Sequence, residues 1–301
     1  MEKVIELTNV SKQFQQKRAV NDISFTIKKG EAVAILGANG AGKTTTILLM
    51  LGLLQPSKGT VHLFQSEPKR KEVREKIGSM LQETSVMDSL KVKEIIKLVQ
   101  SYYPEPLSAD QLLAITGLSK QDWNRRTEKL SGGQKRRLHF ALALAGNPEL
   151  IFLDEPTVGM DINARKAFWE TVAALKSQGK TIIFTTHYLQ EADEAAERII
   201  MISDGEVVGD GTPEQLKAKW TKKTISFKEA ADYALDIYES IPFVEEVIRE
   251  KGRVSLVTVD SDKTIYHIFE MKLKIQDIEI QQGKLEDAFS KLLQEKRRKF
   301  K

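Results

Sequence analysis

A chain of 301 residues with 41% hydrophobic and 29% charged residues has the composition of an ordinary folded protein, long enough for one large domain or two smaller ones. It contains no cysteine, which excludes disulfide scaffolds, cysteine zinc clusters, thiol catalysis and iron–sulfur ligation. The formal charge of +4 belongs to the end of the chain: Lys296, Arg297, Arg298, Lys299 and Lys301 carry five positive charges, so the remainder stands at −1 and presents no net basic surface for nucleic acid. Such a tail is either a solvated terminus or a weak attractor of anionic lipid.

The start, MEKVIELTNV, lacks the apolar core of a signal peptide. The richest apolar stretches, Ile47–Leu54 and Leu138–Ala145, fall far short of the ~20 residues that span a bilayer, so the chain is expected not to cross a membrane by itself.

Up to about residue 220 the sequence alternates strands and helices. Val4–Leu7, Ile23–Ile27, Ala32–Leu36, Leu150–Leu153 and Thr181–Thr185 are short, apolar or β-branched runs bounded by polar residues or glycine, which predicts strands. Thr44–Leu53, Val92–Tyr102, Gly133–Ala145, Ala164–Ser177 and Leu189–Ala196 read as helices. Aliphatic strands joined by helices predict an α/β domain with a mostly parallel sheet. The stretch from Glu83 to Ala145 is mostly helical and predicts a helical subdomain.

Beyond Trp220 the texture changes. Thr224–Phe227, Val244–Ile248, Arg253–Val259 and Ile275–Ile280 read as strands, with helices at Ala230–Glu239, Thr264–Leu273 and Leu285–Gln294 and a turn at Lys251-Gly252. The order β-α-β-β-α-β plus a helix matches a small ferredoxin-like α+β unit. Domains are therefore expected at 1–220 and 221–301. The second holds 16 Lys/Arg and 15 Asp/Glu and no catalytic constellation. Its periodic apolar residues, Ile265, Ile268, Phe269, Leu285, Phe289 and Leu292, need burial in a core of their own, against the first domain or against a second copy.

Three motifs carry the chemistry. Gly37-Ala38-Asn39-Gly40-Ala41-Gly42-Lys43-Thr44 satisfies G-x-x-x-x-G-K-[ST] between a strand and an apolar helix, the context that the pattern requires. Its glycines let successive N–H groups turn inward to cradle phosphates, and the helix adds its positive end. Lys43 then reaches the β- and γ-phosphates, and the Thr44 hydroxyl ligates Mg²⁺. Leu150–Pro156 is an apolar strand ending in Asp154-Glu155, placing an acid at the sheet's carboxyl edge beside that loop. Asp154 suits Mg²⁺, and Glu155 suits a general base for water. Third, Leu130-Ser131-Gly132-Gly133-Gln134 opens a helix; a serine with two glycines suits an anion site at a helix start, and it also suits a plain cap.

The third motif, in order with the other two, resembles the signature of ATP-binding cassette (ABC) proteins, and the resemblance spans about residues 2–218. It implies the phosphate-loop NTPase fold of that family and ATP hydrolysis with Mg²⁺. It further implies that Phe14 stacks on adenine, and that Gly37, Asn39, Gly40, Ala41, Gly42, Lys43, Thr44 and Thr45 hold the phosphates. Gln82 matches the loop glutamine that senses Mg²⁺ and contacts the membrane partner, and His187 matches the switch histidine on the γ-phosphate. Metal contacts from Thr44, Gln82 and Asp154, and catalytic roles for Lys43, Gln82, Glu155 and His187, follow from the same resemblance. Gly159-Met160-Asp161 matches the loop that signals between paired cassettes, with Met in place of the usual Leu. The resemblance implies that Ser131 and Gly132 act across a head-to-tail dimer, and that Ser131, Gly132, Gly133, Gln134 and Asp161 are nucleotide-binding residues. His62, His139 and His267 match nothing.

The partners so implied are a second cassette, identical or paralogous, and a separate membrane permease, with the chain held at the cytoplasmic face of the membrane and no nucleic acid. Only 87 positions separate Lys43 from Leu130, too few for the coiled-coil arms of chromosome-organising relatives. The Glu155–Asp161 run and the element Leu285-Glu286-Asp287-Ala288-Phe289 resemble daunorubicin- and linearmycin-type resistance exporters, which favours export of a drug, antibiotic or lipid-like substrate; import, export of sodium or polysaccharide, and a non-transport ABC ATPase stay open.

Overall fold

The structure is a computed structural model that describes residues 2–82, 87, 89–230, 233–250 and 252–299, with side chains described to Leu292 in the last helix. The side chains of the basic tail, Glu83 at the start of the expected helical subdomain, and Lys251 of the expected turn lie outside what is described. The chain divides into two units, Met1–Thr212 and Pro213–Lys301.

The first unit opens with a long antiparallel hairpin, β1 (Lys3–Phe14) and β2 (Lys17–Lys28). Next come β3 (Ala32–Leu36), α1 (Lys43–Met50), β4 (Lys58–Leu63), α2 (Lys71–Arg74) and β5 (Ile77–Met80). A helical stretch holds α3 (Val92–Gln100), α4 (Ala109–Thr116), α5 (Lys120–Trp123), a 3₁₀ turn (Thr127–Lys129) and α6 (Gly132–Leu144). Then follow β6 (Leu150–Asp154), α7 (Ile162–Ser177), β7 (Thr181–Thr185), α8 (Leu189–Ala195), β8 (Arg198–Ser203) and β9 (Glu206–Gly211).

The strands form two sheets. The larger has the order β5-β6-β7-β3-β8-β9 and is parallel except for β9, as the aliphatic strands predicted. Every residue of β3, β6 and β7 is buried, and Val33, Ile35, Phe152 and Ile183 share one core with residues of the smaller sheet such as Ile5, Ile27 and Leu63. The smaller is antiparallel, with the order β2-β1-β4. Val4–Leu7 and Ile23–Ile27 therefore belong outside the parallel sheet in which the sequence pattern had placed them, and bulges between Leu7 and Gln13 blur their alternation.

An aromatic chain fastens α6 to the sheet. Phe140 meets Phe168 at 4.8 Å between ring centroids, Phe168 meets Trp169 at 5.6 Å, and Trp169 meets Phe184 of β7 at 4.7 Å. Pairs of this kind contribute about 0.5–1.5 kcal/mol each beyond burial. Gly78 of β5 lies under α6, where a β-carbon would collide with the Ala143 carbonyl. The helix that begins at Ser131 is thus fixed against the strands that end at Asp154 and Thr185.

The second unit runs α9 (Pro213–Trp220), β10 (Lys223–Glu229), α10 (Leu235–Glu239), β11 (Val244–Glu250), β12 (Arg253–Thr258), α11 (Ser261–Glu270), β13 (Ile275–Gln282) and α12 (Leu285–Lys299). Its antiparallel sheet has the order β11-β12-β10-β13, and the element order is that of a ferredoxin-like fold. Ile225, Phe227, Tyr238, Ile241, Val254, Leu256 and Ile268 form its core. The division falls at Thr212 rather than at residue 220 because α9 packs with α12, burying Leu216, Leu285, Ala288 and Leu292. Phe269, expected to be buried, is 59% exposed: on α11 the inward stripe runs through Thr264 and Ile268, and the next residue turns away.

Candidate nucleotide site

Four parallel strands deliver the site, because parallel strands point their carboxyl ends to one edge. Leu36 of β3 leads into the phosphate loop, β5 leads to Gln82, β6 ends at Asp154 with Glu155 next, and β7 leads through Thr186 to His187. The loop needs its glycines for specific reasons. Gly42 has φ +110° and lies against the Ala19 carbonyl, so a side chain there meets both backbone strain and a collision. Gly37 lies equally close to the Ile202 carbonyl of β8.

One cleft of about 480 Å³ gathers Phe14, Lys17, Ala19, Asn39, Gly40, Gly42, Lys43, Thr44, Thr45, Gln82, Glu155 and His187. Gly37 and Ala41 belong to its wall rather than its lining: the Gly37 carbonyl accepts a hydrogen bond from Lys43 Nζ at 2.8 Å, and the buried Ala41 accepts one from the Gly205 amide at 2.9 Å. The Lys43 ammonium also donates to the Ala38 carbonyl at 3.2 Å. Burial pushes its pKa down from the usual lysine value, while Glu155 and Asp154 pull it up. Phe14 stands at the end of β1, 43% exposed, with the Lys12 ammonium 5.1 Å from its ring centroid.

Asp154 is buried beneath the cleft. Its Oδ1 accepts a hydrogen bond from the Thr185 hydroxyl at 2.5 Å, and its Oδ2 has no hydrogen-bond partner among the described residues. Glu155 is buried too; Oε1 pairs with His187 Nε2, and Oε2 likewise has no partner among the described residues. Two buried carboxylate oxygens left open beside a buried ammonium fit a site that binds a polyphosphate with a cation, since such groups otherwise cost free energy. No cluster of three or more acidic or histidine side chains that could hold a metal ion occurs among the described residues.

The signature residues lie elsewhere. Ser131, Gly133, Gln134, Gly159, Met160 and Asp161 line a second cleft of about 520 Å³. Ser131 caps α6: its hydroxyl accepts from the Gln134 amide at 3.3 Å, and Gln134 Oε1 accepts from the Ser131 amide at 2.8 Å. Both sequence readings of this motif are thus compatible, since the cap forms while Ser131, Gly132 and Gly133 remain exposed. Asp161 caps α7 through the Ala164 amide at 2.9 Å. None of the signature residues reaches the phosphate cleft of its own chain.

Three contributors escaped the sequence reading. Arg136 Nη2 donates to the Glu155 carbonyl at 2.6 Å. Asp122 Oδ1 accepts from Gln134 Nε2 at 2.8 Å. Glu191, buried, accepts from Thr157 at 2.7 Å and Thr186 at 2.5 Å, tying the loop after Glu155 to the turn before His187. Sequence spacing carries no signal for any of these, because each joins segments brought together only by packing.

Known proteins resemble this chain in sequence and in fold. The family model described as ABC transporter matches residues 20–158. Over 218 residues the chain is 36% identical to the Nod factor export ATP-binding protein I of Burkholderia orbicola (strain AU 1054), covering 70% of this chain and 72% of that protein. It is 39% identical to the ABC transporter ATP-binding protein NatA of Bacillus subtilis (strain 168), covering 71% and 91%. Among solved structures, a dimeric ATP-binding cassette in a post-hydrolysis state bound to ADP and Pi superposes with a TM-score of 0.63 at 29% identity, over 69% of this chain and 98% of that one. The cbiO1 protein of Clostridium perfringens, part of the ABC transporter complex cbiONQ, gives 0.63 at 26% identity, over 73% and 92%.

Proposed function

The chain belongs to the ATP-binding subunits of ABC transporters, and we propose that it powers export of a drug, antibiotic or lipid-like substrate through a separate membrane subunit. ATP hydrolysis is the family's reaction, and its cassettes work as dimers with membrane permeases. The observation that carries the reading is the separation of two clefts: Phe14, the phosphate loop, Gln82, Glu155 and His187 share one, whereas Ser131, Gly133, Gln134 and Asp161 share the other. A nucleotide held by one chain then lacks a signature until a second cassette supplies it, so two chains close over two ATP molecules.

In this reading Phe14 stacks on the base, and the loop amides with Lys43 hold the phosphates. Thr44, Gln82 and Asp154 would hold Mg²⁺, which when bound neutralises charge on the phosphate oxygens. Glu155 takes the proton of the attacking water, and His187, already paired with it, keeps that carboxylate aimed at the γ-phosphate. Gln82, exposed at the cleft's edge, relays occupancy to the permease. No described helix is long and apolar enough to cross a membrane; in this reading the chain sits on its permease at the cytoplasmic face.

The direction rests on the export-named relatives and on the Glu155–Asp161 run. Inside-out vesicles from cells making this chain with its membrane partner should accumulate a labelled drug or lipid-like substrate when ATP is added. The same vesicles with Glu155→Gln should bind ATP but accumulate nothing, since losing a general base typically costs about 10²–10⁴ in rate. ATP-driven uptake by intact cells instead would reverse the direction, and full ATP hydrolysis by Glu155→Gln would remove Glu155 from its role.

A further inference from the structure

We infer that Arg136 is a positioning residue for Glu155 of its own chain, although it lies in the helix whose start serves the partner's nucleotide. The inference rests on the cross-chain reading proposed above. Arg136 is the fifth residue of α6, and its Nη2 donates to the Glu155 carbonyl at 2.6 Å. Glu155 needs such help because its φ is +50°, the left-handed region that side chains other than glycine enter at a cost.

The peptides on both sides of that strained residue are held. On the amino side, the Glu155 amide donates to the Thr185 hydroxyl at 3.0 Å and to the Thr185 carbonyl at 3.2 Å. On the carboxyl side, the carbonyl accepts from Arg136 Nη2 at 2.6 Å and, at the longer distance of 3.4 Å, from the Val158 amide. Together these bonds fix the backbone from which the carboxylate reaches His187. Burial lowers the pKa of the Arg136 guanidinium from its usual value, and the nearby Glu155 and Asp154 carboxylates raise it. The charge therefore sits where it also steadies the two acids of the cleft.

The consequence is a crossing of roles within one helix. The first turn of α6, at Ser131–Gln134, faces the neighbouring cleft, while the next turn holds the base that acts on the chain's own nucleotide. A single rigid helix thus joins the two composite sites.

Steady-state ATP hydrolysis by purified Arg136→Met should show kcat lowered about 10²-fold, the cost of a small misplacement of a catalytic group. KM for ATP should stay within about twofold, because the binding residues are untouched. The thermal midpoint measured with ATP should stay close to that of the parent protein, and Arg136→Lys, which keeps a donor, should recover most of the loss. Unchanged kcat in Arg136→Met overturns the inference. So does an equal loss of ATP affinity and thermal midpoint in both variants, which marks a merely structural residue.

Mixed dimers then separate the two directions of action. Lys43→Ala mixed with Ser131→Arg disables one composite site twice and leaves the other intact, so recovered activity there tests the cross-chain reading itself. Arg136→Met mixed with Ser131→Arg should recover to the same level, because both lesions again fall on one site. If that mixture stays inactive while the first recovers, Arg136 acts through the signature in trans and the inference fails. If the first mixture also fails, the cross-chain reading falls, and the kcat of Arg136→Met alone still decides whether Arg136 positions Glu155.

Discussion

Thr185 and Asp154 face each other as paired residues at the carboxyl ends of β7 and β6, and the Thr185 hydroxyl donates to Asp154 Oδ1 at 2.5 Å. The same hydroxyl accepts the Glu155 amide at 3.0 Å, so one buried threonine holds the Asp154 carboxylate and the Glu155 backbone together. One oxygen of Asp154 is committed to the fold, and the other has no hydrogen-bond partner among the described residues, as the cation proposed for this site requires.

Thr185→Val keeps the shape and removes the hydroxyl. We expect the Mg²⁺ concentration for half-maximal hydrolysis to rise about 10–100-fold, the usual effect of losing a partner that orients a metal ligand. ATP binding without metal should be unchanged. A Mg²⁺ titration of ATPase activity checks this, and an unaltered midpoint would show that Asp154 is oriented without Thr185.

Asp122 predicts a pH dependence. Burial alone pushes its pKa up, but the Ser119 hydroxyl and amide, with Arg125 nearby, more than offset that and leave it below its ordinary value of 3.8. A carboxyl depressed in the folded state contributes stability above its unfolded pKa and loses it as pH falls through the folded value. Asp122→Asn should therefore destabilise the protein by about 1–3 kcal/mol at pH 7, with a smaller difference from the parent at pH 3. Because Asp122 also holds Gln134, ATPase activity should fall too. Urea melts at both pH values measure the first effect; an equal gap at each pH would contradict it.

The second unit has its own core and sheet, and every proposed nucleotide contact lies before it. We propose that it stabilises or regulates the dimer. Ending the chain after Thr212, rather than after Trp220, removes α9 with its packing partner α12 and leaves no half of that pair exposed. The shortened protein should bind ATP with unchanged affinity and dimerise or transport less well. Nucleotide titration beside a vesicle transport assay tests both parts: lost binding in a folded truncation would place the boundary wrongly, and unchanged assembly and transport would leave the unit without this role.

The sequence was most readable where function depends on neighbouring residues. Gly37–Thr44 and Ser131–Gln134 are local devices in which backbone shape and amide direction follow from a few adjacent residues. Strand β5 was missed because Gly78 weakens its pattern, and that glycine is present because the Ala143 carbonyl passes close by. The Asp154–Thr185 pairing was invisible because register between strands 31 residues apart is set by packing of the whole sheet. Arg136 gave no signal either: it stands in a run of three basic residues, and only the docking of α6 turns it toward Glu155.

The left-handed backbone at Glu155 also sets selection pressures at odds. Glycine adopts that conformation freely, so relief of a strain of about 1–3 kcal/mol favours it in any library screened for heat tolerance. Glycine carries no carboxylate, so a library screened for turnover must retain the strained acid. At this one codon, durability and throughput pull the chain toward different residues.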